Sequence, residues 1–326
     1  MKLASLKSGR DGTLIIVDKK LENATRVPEI AGSLLLALEN WPETELKLKA
    51  EFEILTAGKA KGVFKANIRE LAAAMPRAPQ FVDGSAYLAH VERVRKARGA
   101  EMPPSFLSDP LMYQAVSDGF LAPSEPIQVA SEDYGIDFES EVGVVLDDVP
   151  MGVAPEAAAK HIKLILLIND VSLRNLIPAE LGKGFGFLQS KPRSALSPIA
   201  VTPDELGDAW KDGKVQLPLV THLNGKLFGE PNAGMDMQFS FPQLIAHAAK
   251  TRPLAAGTIV GSGTVANRDE SKGSSCLAEQ RVLEIIKTGK AVTPFMKFGD
   301  QVKIEMFDGN GASIFGAIDQ VVEKYK

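Results

Sequence analysis

The chain has 326 residues, 45% of them hydrophobic and 24% charged, and its 37 Lys and Arg against 41 Asp and Glu leave a net charge of −4. That length is more than one hydrophobic core usually serves, so a large domain with a smaller partner is expected, and the slight acidity excludes the electrostatic footprint of a nucleic-acid binder. The single cysteine, Cys276, excludes an intrachain disulfide and a Cys-based zinc cluster; with no apolar leader after Met1 and no apolar run long enough to span a bilayer, the expectation is a soluble, cytoplasmic protein without a membrane partner.

Residues 1 to 78 read as a small N-terminal unit. Leu14 to Asp18 follows the Asp11-Gly12 turn as a short strand, and Ile30 to Asn40 carries a helical pattern that Trp41-Pro42 ends. Met75-Pro76-Arg77-Ala78-Pro79 breaks any regular element, which sets the boundary between 1–78 and 79–326. Beyond it, Gly84 to Arg98 is predicted as a helix that Asp83 caps, with His90 two turns from the cap on the same side. A lone helical histidine is more often packed or solvated than catalytic.

Ile136 to Leu146 reads as a buried strand carrying acidic side chains. In an extended chain Glu139 and Glu141 project from one face, so two carboxylates aim at one point. A hard divalent cation relieves such repulsion; a solvated face of an edge strand is the alternative. Ile162 to Ile168 is an apolar strand that stops at Asn169-Asp170, which puts a carboxylate where sheet meets cleft.

Gly182 to Phe187 has the spacing Gly-x-Gly-x-Gly, with neither the strand nor the helix that a dinucleotide loop needs. It reads as a glycine-rich lid or a solvated loop, followed by the cations Lys191 and Arg193. Leu217 to Leu223 and Lys226 to Phe228 flank Asn224-Gly225, a strong hairpin signal. Phe241 to Ala249 is predicted as a helix and Thr258 to Thr264 as a strand whose glycines permit close approach of another group. Gln301 to Met306 and Ser313 to Val322 close the chain as a hairpin, and His161, His222 and His247 read as structural.

Taken together, Asp83, Glu139, Glu141 and Asp170 are carboxylates on separate elements, a donor set suited to Mg²⁺, Ca²⁺ or Mn²⁺ and not to zinc or copper. With His90, with Asp137-Phe138-Glu139-Ser140-Glu141, with Asn169 to Arg174, with Ser190-Lys191-Pro192 and with Gly261 to Thr264, the sequence resembles the fumarylacetoacetate hydrolase family from about residue 80 to 326, and more weakly before. The resemblance implies a β-rich α+β fold, a mixed β-sandwich or roll behind a small N-terminal domain, assembled as a homodimer. It implies Asp83, Glu139, Glu141 and Asp170 as metal ligands and His90 as the base that takes a proton from water, oriented by Glu279. Lys191 is implied in catalysis and substrate contact, with Tyr113, Arg174 and Thr264 also on the substrate.

The implied substrate is a diketo or 2-oxo acid, of the kind met in aromatic catabolism, cleaved at a carbon–carbon bond. Ser85 stands where the animal enzymes have a substrate-binding tyrosine, and Ile177 where a glutamine follows the arginine, changes at substrate contacts and not at metal ligands, so the expected substrate is an acylpyruvate- or fumarylacetoacetate-like diketo acid. The family's lyases, decarboxylases and hydratases or isomerases of 2-oxo acids, and a non-catalytic metal- or ligand-binding protein are the alternatives.

Overall fold

The computed structural model describes residues 1–97 and 103–326. The apolar run at residues 14–17, β-branched from Ile15 on, forms β2 (Thr13–Val17), which pairs antiparallel with β1 (Lys2–Leu6) and with β3 (Asn23–Arg26). Helix α1 (Leu34–Glu39) is shorter than its pattern suggested and begins where the Ser33 hydroxyl accepts from the Leu36 N–H. A second helix, α2 (Trp41–Thr56), follows directly. Trp41-Pro42, read as a stop, is its start: proline has no N–H to lose in a first turn.

After β4 (Phe64–Lys65) and an irregular stretch come β5 (Phe81–Gly84), α3 (Leu88–Ala97), β6 (Met112–Ala115) and β7 (Ile127–Val129). The helix expected from Gly84 therefore starts at Leu88, and Asp83 is a strand residue instead of its cap; the predicted end at Arg98 lies outside the described residues. Pairing of Phe81, Val82 and Asp83 on both edges outweighs the helix-forming composition that follows.

The acidic segment divides into β8 (Ile136–Asp137) and β9 (Ser140–Leu146), with Phe138-Glu139 between them. Next are α4 (Pro155–Ala158), β10 (Ile162–Asn169), β11 (Ser172–Leu173), α5 (Ile177–Leu181), β12 (Ala195–Leu196) and β13 (Ile199–Val201). Strands β14 (Trp210–Lys211), β15 (Lys214–Val215), β16 (Leu219–Leu223) and β17 (Lys226–Gly229) follow. The last pair turns through Asn224 and Gly225, whose φ of 51° and 75° are those the hairpin signal called for. The chain ends with α6 (Phe241–Ala248), β18 (Ile259–Gly261), α7 (Leu277–Thr288), β19 (Gln301–Met306) and β20 (Ile318–Lys324).

Eleven strands form the main sheet in the order β4-β3-β2-β1-β13-β10-β9-β18-β5-β6, with β12 beside β10. Because β1 pairs with β13, this sheet runs unbroken from the first residues into the rest of the chain. Strand β10 is buried on both faces, which is why its sequence is a continuous apolar run. Leu164, Leu166 and Ile168 pack with residues of α1 and α2 such as Leu38 and Phe52, while Ile165 and Leu167 face a second core. That second core holds residues of the five-stranded sheet β17-β16-β19-β20-β7 and of α6. The fold is strand-rich α+β, and no described helix is long and apolar enough to cross a membrane.

Candidate active site

The main sheet carries three acidic side chains to one spot at the ends of its central strands. Asp83 on β5 lies in register with Gly261 on β18, and Gly261 with Gly143 on β9, two residues beyond Glu141. A Cβ at Gly261 would stand 2.2 Å from Asp83 Oδ1, so glycine leaves the room the carboxylate occupies. The Gly263 N–H donates to the same oxygen at 3.1 Å. Asp170 follows the last residue of β10, its N–H donating to the Glu139 carbonyl at 3.0 Å. One oxygen each of Asp83, Glu141 and Asp170 lie within 4.8 Å of one another, and all three residues are buried. Oxygens about 2.0–2.6 Å from a shared cation cannot be more than about 5.2 Å apart, so the spacing fits one.

Asp170 is well supplied with donors: Tyr113 Oη at 2.6 Å, Ser194 Oγ at 2.7 Å and the Lys191 ammonium. Neither oxygen of fully buried Glu141 has a hydrogen-bond partner within 3.5 Å among the described residues. Burial and the neighbouring Asp83 and Asp170 push the Glu141 carboxyl well above the usual carboxylate range. Burial and Asp170 likewise push Asp83 up to about 8. An orphaned carboxylate in an oxygen-only cluster is what a hard divalent ion such as Mg²⁺, Ca²⁺ or Mn²⁺ would satisfy, so the residues fit such a group.

Glu139 belongs to the same patch but has cationic partners of its own. Its oxygens accept from Arg174 at 2.6 Å and from Lys191 at 2.7 Å. Against the cost of its burial, these two cations hold it far below the usual range. Burial disfavours the Lys191 ammonium, but Asp170 and Glu139 outweigh that and raise its pKa, so Lys191 is a fixed cation. Arg174 also binds Asp137 at 2.8 Å, and the two Asp137 oxygens accept the Leu277 and Ala278 N–H groups at 2.8 and 2.9 Å. The carboxylate thus seats the N-terminus of α7.

That anchorage matters because α7 carries Glu279. Helices α3 and α7 pack together, and Glu279, fully buried in the first turn of α7, meets His90 and Arg93 of α3. Arg93 donates to Glu279 Oε1 at 2.6 Å and to the Asn267 carbonyl at 2.7 Å. His90 Nδ1 is 3.7 Å from the same oxygen, beyond hydrogen-bond length. Burial opposes ionisation of Glu279, but His90 and Arg93 hold its carboxyl below the ordinary value.

A cavity of about 180 Å³ opens between these groups, lined by Asp83, Glu139, His90, Tyr113, Arg174 and Lys191 and also by Ile177, Phe187 and Thr264. All the residues singled out from the sequence thus line or flank one cleft, though Glu139 lies outside the tight carboxylate triad. Three more went unread. Arg93 was findable, being three residues from His90 and therefore on the same helix face. Asp137 has the strand parity of Glu139. Nothing in the sequence pointed to Glu180.

Glu180 closes the base of the glycine-rich loop. Its carboxylate accepts the N–H groups of Leu188, Gln189 and Ser190 at 3.0, 2.6 and 3.0 Å and the Ser190 hydroxyl at 2.5 Å. These bonds hold its pKa down at about 2, against an ordinary 4.5. Because the folded-state value is the lower one, the clasp is complete above about pH 4.5 and is lost as pH falls toward 2. Glu180→Gln is expected to speed amide exchange at Leu188 to Ser190, and tryptic cleavage after exposed Lys183, severalfold at neutral pH. Unchanged exchange would show that the loop is held by other contacts.

The family profile described as fumarylacetoacetate (FAA) hydrolase C-terminal matches residues 80–323, and fumarylacetoacetase N-terminal domain 2 matches residues 1–77. The chain belongs to the fumarylacetoacetate hydrolase family. It is 28% identical over 160 residues to the mitochondrial oxaloacetate tautomerase fahd2 of Xenopus laevis, a match covering 48% of this chain and 47%, about half, of that one. To the 2,4-didehydro-3-deoxy-L-rhamnonate hydrolase of Sphingomonas sp. SKA58 it is 24% identical, over 60% of this chain and 69% of that one. The solved fumarylacetoacetate hydrolase of Exiguobacterium antarcticum has the same fold along the full length of both chains, with a TM-score of 0.70 at 17% identity. So does maleylpyruvate hydrolase of Sphingobium sp. SYK-6, solved in complex with manganese(II) and pyruvate, with a TM-score of 0.67 at 15% identity and full coverage of both.

Proposed function

We propose that the protein is a metal-dependent hydrolase that cleaves a carbon–carbon bond in an acylpyruvate- or fumarylacetoacetate-like diketo acid, with His90 activating water. The observation that carries this reading is the orphaned Glu141 within a buried carboxylate triad whose Asp83 lines the same cleft as His90, the histidine that faces Glu279. Asp83, Glu141 and Asp170 would hold Mg²⁺, Ca²⁺ or Mn²⁺, with Glu139 as a fourth carboxylate once an ion competes with Arg174 and Lys191 for it. When bound, the ion supplies Lewis-acid polarisation of the substrate's oxygens, worth several kcal/mol of charge stabilisation.

The remaining steps belong to side chains. His90 takes a proton from water as the water oxygen attacks the carbonyl carbon, a contribution of about 10²–10⁴-fold. Glu279, held by Arg93, stabilises the imidazolium that forms. The carbon–carbon bond then breaks, its electron pair leaves as an enolate, and the proton on His90 returns to that carbon to give an acid and a ketone. Lys191, fixed as a cation, stabilises the enolate charge. Tyr113, Thr264 and Arg174 shape the substrate's seat, and the family reading makes the protein a homodimer.

A second reading has a specific support. The Xenopus relative is named an oxaloacetate tautomerase, a reaction that moves a proton and needs no attacking water, and His90 Nδ1 stands 3.7 Å from Glu279, beyond hydrogen-bond length. Mixing the Mn²⁺-loaded protein with an acylpyruvate and with oxaloacetate separates the two readings. Hydrolysis gives pyruvate and a second acid from the acylpyruvate. Keto–enol interconversion of oxaloacetate, with the acylpyruvate left intact, would replace the hydrolase reading by the tautomerase one.

A further inference from the structure

Lys191 is bound to the carboxylate cluster beside which it stands. Its ammonium donates to Glu139 at 2.7 Å and to Asp170, and the Tyr113 and Phe187 rings lie under it with centroids 5.4 and 5.9 Å away. Asp170 belongs to the triad whose oxygens lie within 4.8 Å of one another, and Glu139 is the fourth carboxylate of the patch. Burial disfavours the ammonium, but Asp170 and Glu139 outweigh that and keep it charged. The other cation on Glu139, Arg174 at 2.6 Å, is balanced by Asp137 at 2.8 Å. Lys191 has no such second partner: among the described residues its ion pairs are with Glu139 and Asp170 alone.

A divalent ion brought to this cluster therefore meets a resident positive charge that holds two of the same four carboxylates. Like charges sharing a buried carboxylate repel, and little water is present to screen them. The ammonium also lines the cavity of about 180 Å³, so an anion entering there reaches it directly. We infer that Lys191 is an internal competitor of the divalent ion, and that the acid group of a 2-oxo acid relieves the competition by taking over the ammonium, so that ion and acid tighten each other's binding. The inference rests on the reading above and deepens it, because it assigns the coupling between ion and substrate to one side chain. Such coupling is reciprocal: whatever factor the acid adds to the ion's affinity, the ion adds to the acid's.

The test is titration of the full-length protein with Mn²⁺, followed by calorimetry, in the absence of acid and with pyruvate in excess. A 2-oxo acid that chelates the ion tightens it without help from Lys191, so the comparison runs between proteins and not between acids. Pyruvate is expected to tighten Mn²⁺ on the unaltered protein by at least about tenfold. Lys191→Met removes the charge, and Lys191→Gln removes it while keeping a donor for Glu139 and Asp170. Both are expected to bind Mn²⁺ alone about tenfold tighter than the unaltered protein, and the factor gained from pyruvate is expected to shrink by about tenfold. Either variant suffices if the other fails to fold, and the pyruvate effect on the unaltered protein needs neither.

Mn²⁺ affinity unmoved by pyruvate in the unaltered protein, or no tighter in a folded variant, would overturn the inference and leave the metal-dependent reading standing. Failure of the unaltered protein to take up Mn²⁺ under either condition would remove both.

Discussion

Glu141→Gln is expected to abolish stabilisation by divalent ions and to lower turnover by at least about a thousandfold, while the metal-free variant unfolds no earlier than the unaltered protein. The reasoning begins with what Glu141 lacks. Its oxygens are buried and receive no hydrogen bond from the described residues, so in the absence of an ion they contribute no hydrogen bond there that folding needs. A neutral amide of the same shape removes a charge that Asp83 and Asp170 repel. An ion bound a hundredfold above its dissociation constant stabilises by about 2.7 kcal/mol, which raises Tm by something on the order of 5 °C, and that rise should vanish.

Asp170→Asn provides the contrast. Asp170 accepts from Tyr113, Ser194 and buried Lys191, so weakening it also disturbs a cation and costs stability with or without metal, within the range of about 3–5 kcal/mol for a broken buried pair. Thermal unfolding of the three proteins with and without Mn²⁺ decides the matter. If the ion raised the Tm of Glu141→Gln as much as that of the unaltered chain, Glu141 would not be a ligand.

The difference between these two aspartate and glutamate positions also marks what the sequence could and could not convey. Strand parity set Glu139 and Glu141 on one face, and the end of the apolar run of β10 set Asp170 at the edge of the sheet. Their division of labour was not legible. Whether a carboxylate is orphaned or paired depends on Arg174, Lys191 and Tyr113, which come from β6 and from two loops and reach the cluster only through the tertiary fold. Asp83 was expected as a helix cap and stands on a strand instead, since a four-residue strand followed by good helix formers has no local mark to separate it from a helix start.

The same ambiguity hid both long helices that matter here. Trp41-Pro42 serves equally as the end of one helix and the first turn of the next, and only the packing of Trp41, Leu48 and Phe52 onto the sheet decides for α2. Helix α7 starts from a loop of Ser, Gly and Cys, where Cys276 accepts the Glu279 N–H but the first two N–H groups go to Asp137, 140 residues from Leu277 in sequence. Glu279 could therefore be named only through the family's pattern, while its tie to Arg93 came from the packing of α3 on α7.

That tie bears on the last expected result, which separates the chemistry of His90 from that of the metal cluster. His90→Ala should reduce carbon–carbon hydrolysis of an acylpyruvate by about 10²–10⁴-fold, the usual contribution of a positioned general base. Uptake of Mn²⁺ and its effect on Tm should be unchanged, because His90 is not among the clustered carboxylates. Exchange of the substrate's C3 protons with solvent, followed by proton NMR, should fall far less, since the two flanking carbonyls make C3 acidic enough for solvent to take the proton, with the Lys191 cation stabilising the enolate. Glu279→Gln should be milder than His90→Ala, on the order of tenfold to a hundredfold, because Arg93 keeps the residue in place while the charge facing the imidazolium is lost. Hydrolysis within threefold of the unaltered enzyme in His90→Ala would end the case for this base. If exchange and hydrolysis collapsed together, His90 would be acting on the carbon acid itself, and the tautomerase reading would gain what the hydrolase reading lost.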